Sequence, residues 1–94
     1  MAQMKVSSIH TEPSGSWDHV HITRLRYLQV GFGSEIEVST VRMIELLRGV
    51  SNNIAYVSDK EGNALVQVVN GPITYLRTIR DGRYTDNLLA LPRF

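Results

Sequence analysis

Apolar and polar positions alternate along most of this chain, and one stretch breaks the rhythm in favour of a helix. Residues 4 to 11, MKVSSIHT, are β-branched or small, and Pro13, Ser14, Gly15 and Ser16 follow as turn formers, so a first strand and a loop are expected. HVHITRLRYLQV, from His19 to Val30, is the longest strand candidate and is closed by Gly31 and Gly33. Its alternation is imperfect. Val20, Ile22, Leu28 and Val30 share parity with Arg24 and Arg26, while Leu25 and Tyr27 fall opposite, which calls for a bulge or a bend. Residues 30 to 35, VGFGSE, read as a flexible loop leading to the helix.

Ser39 or Thr40 can cap a helix that runs to about Arg48, with Val41, Met43, Ile44 and Leu47 on one broad face. Gly49 is expected to end it in a left-handed conformation. Three strand-like runs follow, 53 to 58, 63 to 69 and 73 to 79, separated by DKEG and NGP, and such turn-rich breaks predict an antiparallel meander. In the tail, Asp81-Gly82 signals a turn, and Leu88, Leu89 and Leu91 are expected to anchor the C-terminal residues to the core. The pattern predicts an α+β fold: a mainly antiparallel five-stranded sheet with one helix packed on one face, in the order β-β-α-β-β-β. One domain spanning residues 1–94 is expected, because half of such a chain could not bury a core.

Composition narrows the functional classes. The hydrophobic share of 43% and charged share of 20% are those of a globular protein. No cysteine is present, which removes disulfides, thiolate ligands and a cysteine nucleophile and agrees with a reducing, cytoplasmic setting. The first residues lack the apolar core of a signal peptide, and no apolar run approaches a membrane span, so no membrane partner is expected. A net charge of +1 does not favour nucleic acid as a partner. Eight of the ten basic residues are arginine, whose planar fork suits carboxylate or phosphate.

Candidate chemistry is sparse. On a strand, His19 and His21 would project from one face, and His10 could complete a zinc site, yet an isolated H-x-H is commonly a pair of half-exposed strand histidines, and no metal or other cofactor is expected. Glu35, Glu37, Asp81 and Asp86 do not form an evident carboxylate pair across a cleft. Ser7, Ser8, Ser51 and Ser58 stand in no strained elbow. The glycine loop lacks the G-K-[ST] of a phosphate cradle. No catalytic residues are therefore assigned.

The strongest constellation is Tyr75, Arg77, Arg80, Arg83 and Tyr84, forked cations beside stackable rings that could hold an anionic or nucleotide-like ligand or an acidic protein. Its bland alternative is a surface on which the arginines pair with Asp81 and Asp86. Asp81 and Gly82 are assigned to a turn. Asp86 and Asn87 are assigned to bonds that fix the chain before the leucines.

The segment YLRTIRDGRYTDNLLALP, residues 75 to 92, resembles the closing signature of a family of small, mostly bacterial proteins known as domain of unknown function 3892. The specific positions are Arg77-Thr78, Asp81-Gly82, Asp86-Asn87-Leu88 and Leu91-Pro92. Weaker likeness extends back to His19-Val20-His21-Ile22, the helix before Gly49 and Tyr56-Val57. The resemblance implies no activity. Several members of that family end in a cysteine where this chain has Arg93-Phe94, so a role tied to that thiol is absent here. Two functional expectations remain: a non-catalytic binding or adaptor module using the Arg/Tyr surface, or a structural protein that pairs with copies of itself through an exposed strand guarded by Arg24 and Arg26.

Overall fold

Valine, isoleucine, threonine or tyrosine recurs in each strand that forms, since their stiff or flat side chains suit a pleated surface. The structure, a computed structural model, describes residues 3–31, 33–49 and 53–94. In chain order the elements are β1 (Gln3–Thr11), a 3-10 turn (His19–His21), β2 (Ile22–Gln29), β3 (Glu35–Ser39), α1 (Thr40–Arg48), β4 (Ile54–Asp59), β5 (Gly62–Val69), β6 (Tyr75–Arg80) and β7 (Arg83–Thr85). The strands lie in one sheet in the order β3-β2-β1-β4-β5-β6-β7.

This overturns the expected five-stranded, mainly antiparallel sheet. The sheet has seven strands and is mixed, because β1 and β4 run parallel over Gln3–Lys5 and Ile54–Tyr56. Two strands are additional. Residues expected to be a loop form β3, where Ile36 pairs with Tyr27 and Val38 with Leu25, and a tight turn at Asp81-Gly82 sends back β7. The parallel pair arises because β2, β3 and α1 intervene between β1 and β4, and a crossover containing a helix can deliver a strand in the same direction.

Two bulges reconcile the irregular alternation. Ser7 is the extra residue in β1, since Val6 pairs with Tyr27 but Ser8 with Arg26; Thr23 is the extra residue in β2, since His10 pairs with Arg24 but Thr11 with Ile22. Each bulge resets the two-residue period, so Val6 and Ile9, and likewise Ile22 and Leu25, enter the same core. The start of the expected long strand is corrected. His19–His21 is a 3-10 turn because Asp18 caps it, its Oδ1 accepting from the Val20 amide at 3.1 Å.

Helix α1 touches β2 and β3 from one part of the sheet and β5 and β6 from the other. Ser39 caps it by accepting from the Arg42 amide at 3.1 Å. Met43 is fully buried, with Ile44, Leu46 and Leu47 packed beside it, whereas Val41 is 67% exposed and does not belong to the apolar face expected of it. Gly49 departs from expectation as well: at φ −68° it is extended and not left-handed. No helix among the described residues is long and apolar enough to cross a membrane.

The tail is part of the core. Leu88 and Leu89 are buried, and the chain then runs beside β1, the Ile9 amide donating to the Pro92 carbonyl at 3.0 Å and the Phe94 amide to the Ile9 carbonyl at 3.1 Å. It occupies the flank of β1 beyond the three residues that pair with β4.

Candidate functional site

Strand parity separates the five expected ligand residues. Leu76 and Thr78 of β6 face the core, so Tyr75, Arg77 and Ile79 face away from it, and across the hairpin Ile79 pairs with Tyr84 while Arg80 pairs with Arg83. The hairpin does reverse at Asp81-Gly82, where φ values of 53° and 77° give the left-handed pair that a two-residue turn requires. Arg77 and Tyr84 meet on the outer face, the guanidinium carbon 5.3 Å from the ring centroid. Arg80 ends on the other side, and the five residues do not converge.

Both central arginines are already committed. Arg77 Nη2 pairs with Asp86 Oδ1 at 3.2 Å, and its Nε donates to the Thr85 carbonyl at 3.4 Å. The Arg80 fork reaches Asp59 at 2.9 Å, Glu61 at 3.2 Å and the Gly62 carbonyl at 3.1 Å. Its side chain is only 17% exposed. Its Nε is buried without a partner among the described residues. Arg83 alone of the three makes no ion pair there. Asp86 also lies 3.8 Å from His19 Nε2, and Asn87 Nδ2 donates to Asp59 Oδ2 at 2.7 Å, tying the tail to the β4–β5 turn.

These bonds build a cleft that sequence reasoning missed. Its volume is about 420 Å3, and its walls are Trp17, Asp59, Lys60, Glu61, Arg80, Thr85, Asp86, Asn87 and Ala90. Four separate segments supply them. Asp59 is the hub: the Glu61 amide at 2.8 Å, then Arg80 and Asn87, hold its carboxyl below the usual carboxylate range. Thr85 is fixed from beneath, its hydroxyl 2.7 Å from that of buried Thr78.

Trp17, the only tryptophan in the chain, is 65% exposed at this cleft. Its loop is nonetheless anchored. Ser16 Oγ accepts from the Asp18 amide and bonds to His21 Nδ1 at 2.6 Å. The Ser16 carbonyl accepts from Arg93 Nη1 at 3.0 Å, and the Arg93 guanidinium carbon lies 5.8 Å from the indole centroid. The linear signal was a lone tryptophan in a turn-rich segment, which no pattern rule flags.

The three histidines serve different contacts. His10 bonds to the Phe94 carbonyl, His21 to Ser16, and His19 packs against Tyr75 with ring centroids 6.2 Å apart. Burial, and secondarily the Arg77 charge, lower the His19 pKa, against opposing effects of Asp86 and Asp18. Among the described residues no three His, Asp or Glu side chains group so as to hold a metal ion. Arg24 and Arg26 also change role. They lie on β2 inside the sheet, where both pair with Glu37 of β3, at 2.6 and 3.3 Å, so they guard no edge. The sheet ends instead at β3 and β7.

A second cleft, of about 330 Å3, lies between the end of α1 and strands β4 and β5, with Leu47, Ala55, Val66 and Val68 among its walls and Arg48 beside them. Arg48, Asn53 and Gln67 supply its polar side chains. No family model matches the chain, and neither a curated protein nor a solved structure matches it.

Proposed function

We propose that the protein is a small non-catalytic binding module whose ligand seat is the cleft between Trp17 and Arg80. The observation that carries this reading is the exposed indole at a cleft walled largely by charged and amide-bearing residues. Leaving a large apolar ring in water forgoes the stabilisation its burial would give, and such rings are enriched where proteins bind. The volume falls within the ~300–1,000 Å3 of small-molecule sites. The Asp59–Arg80–Asn87 network holds the walls before any ligand arrives, which lowers the ordering cost of binding. In this reading the hairpin arginines brace the site and do not grip an anion as their spacing first suggested.

Because Trp17 is the only tryptophan, its emission reports on this cleft alone. Titration of the intact chain with a panel of small polar compounds should give a saturable change in emission for at least one. A compound that binds by calorimetry with Trp17 unaffected, and equally to Trp17→Ala, would overturn the assignment of the site.

Self-association is the second reading. It is favoured by a row of side chains on the sheet face away from α1, Tyr56–Leu65–Ile79–Tyr84, in register across β4 to β7. Such an apolar row is the kind of surface through which protein copies associate. Pairing of β3 with its own copy is opposed by Glu35 and Glu37 on that edge strand. Sedimentation equilibrium at rising concentration tests this reading: a constant monomer mass refutes it.

A further inference from the structure

We infer that the cleft takes a neutral, hydroxyl-rich ring, a pyranose unit of a saccharide, in preference to an ion; this rests on the binding-module reading above. The first argument is charge. Asp59 and Glu61 are matched by Arg80, Asp86 by Arg77 behind the wall, and Lys60 stands at the rim, so three carboxylates face three cations and neither sign of ligand is strongly drawn. An ion would have to displace an existing pair, and the most deeply held of these, Arg80–Asp59, also braces the site.

The second argument is unspent hydrogen-bonding capacity. Asn87 bonds through Nδ2, Asp86 through Oδ1 and Glu61 through Oε2. That leaves Asn87 Oδ1, Asp86 Oδ2 and Glu61 Oε1 as acceptors without partners among the described residues. Lys60 Nζ and Trp17 Nε1 are donors in the same position. Planar acceptors interspersed with donors match vicinal hydroxyls, each of which both donates and accepts.

The third argument is shape. One side of the Trp17 ring is associated with the Arg93 guanidinium, and the indole retains most of its surface for another contact. A pyranose carries hydroxyls around its edge and a patch of C–H groups on its face. It can therefore place the apolar face on the indole and the rim against Asn87, Asp86 and Glu61, satisfying both kinds of surface at once.

The test follows Trp17 emission and calorimetric heat while the intact chain is titrated with methyl glycosides of glucose, galactose, mannose and N-acetylglucosamine and with their disaccharides. Inorganic phosphate, AMP and lysine amide are titrated in parallel as ionic or nucleotide probes. At least one saccharide should bind saturably, with affinity unchanged by a large increase in salt, because little net charge is involved. Glu61→Gln, at an exposed position, should weaken it severalfold without altering the fold, and Trp17→Ala should weaken it by about tenfold, as expected for loss of a stacked ring. Silence towards every saccharide, with a response to phosphate, AMP or lysine amide that Trp17→Ala abolishes, would overturn the inference and leave the cleft reading standing. Silence towards every probe would sink both.

Discussion

Arg93 is the side chain on which the packing of the tail against the N-terminal loop most depends, and its removal offers a quantitative test of the fold. Nη1 donates to Thr11 Oγ1 at 3.1 Å and to the Ser16 carbonyl at 3.0 Å, and Nη2 donates to the Leu89 carbonyl at 2.9 Å. Thr11 is 2% exposed, so its hydroxyl would be left short of a partner in Arg93→Ala. A hydrogen bond to a charged group is worth about 1.5–3 kcal/mol. Water can reach some of these acceptors, and the stacked indole adds no more than about 1 kcal/mol at an exposed position. A loss of about 3 kcal/mol is therefore expected, below the simple sum of three charged bonds. For a chain of this size each kcal/mol displaces the melting temperature by about 4–8 °C, so Arg93→Ala should melt ~15 °C lower. Thermal unfolding followed by circular dichroism reads this directly, and Trp17 emission should change with it. Arg93→Lys should recover less than half, because one ammonium cannot span three divergent acceptors. If Arg93→Ala lies within about 0.5 kcal/mol of the parent, the change is no larger than at an ordinary surface site, and Arg93 does not clamp the tail.

Three further outcomes follow from the same geometry. Met43→Ala should cost about 2–5 kcal/mol as a cavity forms under α1, while Val41→Ala should stay within about 0.5 kcal/mol; comparable losses from the two in urea unfolding would mean that another helix face is buried. Asp81→Val should destabilise by about 1–2 kcal/mol because a β-branched residue resists positive φ, and Asp81→Gly should not; equal melting temperatures for the two would refute the turn geometry. His19, whose pKa is lowered below its ordinary 6.5 chiefly by burial and then by Arg77, gives a pH test. As pH falls through about 6.5 the unfolded chain takes up its proton first, so the stability is full above that value and is lost as pH falls towards the folded pKa. In His19→Gln this part of the acid limb should flatten, and an unchanged dependence of unfolding free energy on pH would remove His19 from the account.

Much of the fold was legible because its cues are local. A capping serine followed by a 3.6-residue apolar period marked α1, and turn residues between β-rich runs marked the β4–β5–β6 meander. The imperfect alternation after His19 was rightly a sign of a bulge. What the residues near Gly31 and Gly33 obscured was the short Glu35–Val38 alternation, since glycines suggest a loop more strongly than four residues suggest a strand. Val41 fits a helical apolar face by spacing alone, but α1 presents Met43, Leu46 and Leu47 inward, and only tertiary packing selects between such faces. The parallel placement of β4 beside β1 was beyond local reasoning. It depends on where a crossover lands, for which no residue in either strand is a signal.

The Arg/Tyr cluster illustrates why function was harder to read than fold. Arginine, aspartate and asparagine carry the same chemistry whether they hold a ligand or one another, and sequence spacing along β6 and β7 cannot tell which carboxylate a guanidinium will find. Here Arg80 finds Asp59, twenty-one residues away, and Arg77 finds Asp86 nine residues away. The neighbouring tail positions have structural uses too: Thr78 bonds to Thr85, Asp81-Gly82 makes the turn, Asn87 ties the tail to β4, Leu88 fills the core and Pro92 accepts from β1. Together these contacts fasten the tail. The surface left for a ligand is the one these fasteners create between the loop of Trp17 and the β4–β5 turn, and it is composed of residues that no single stretch of sequence brings together.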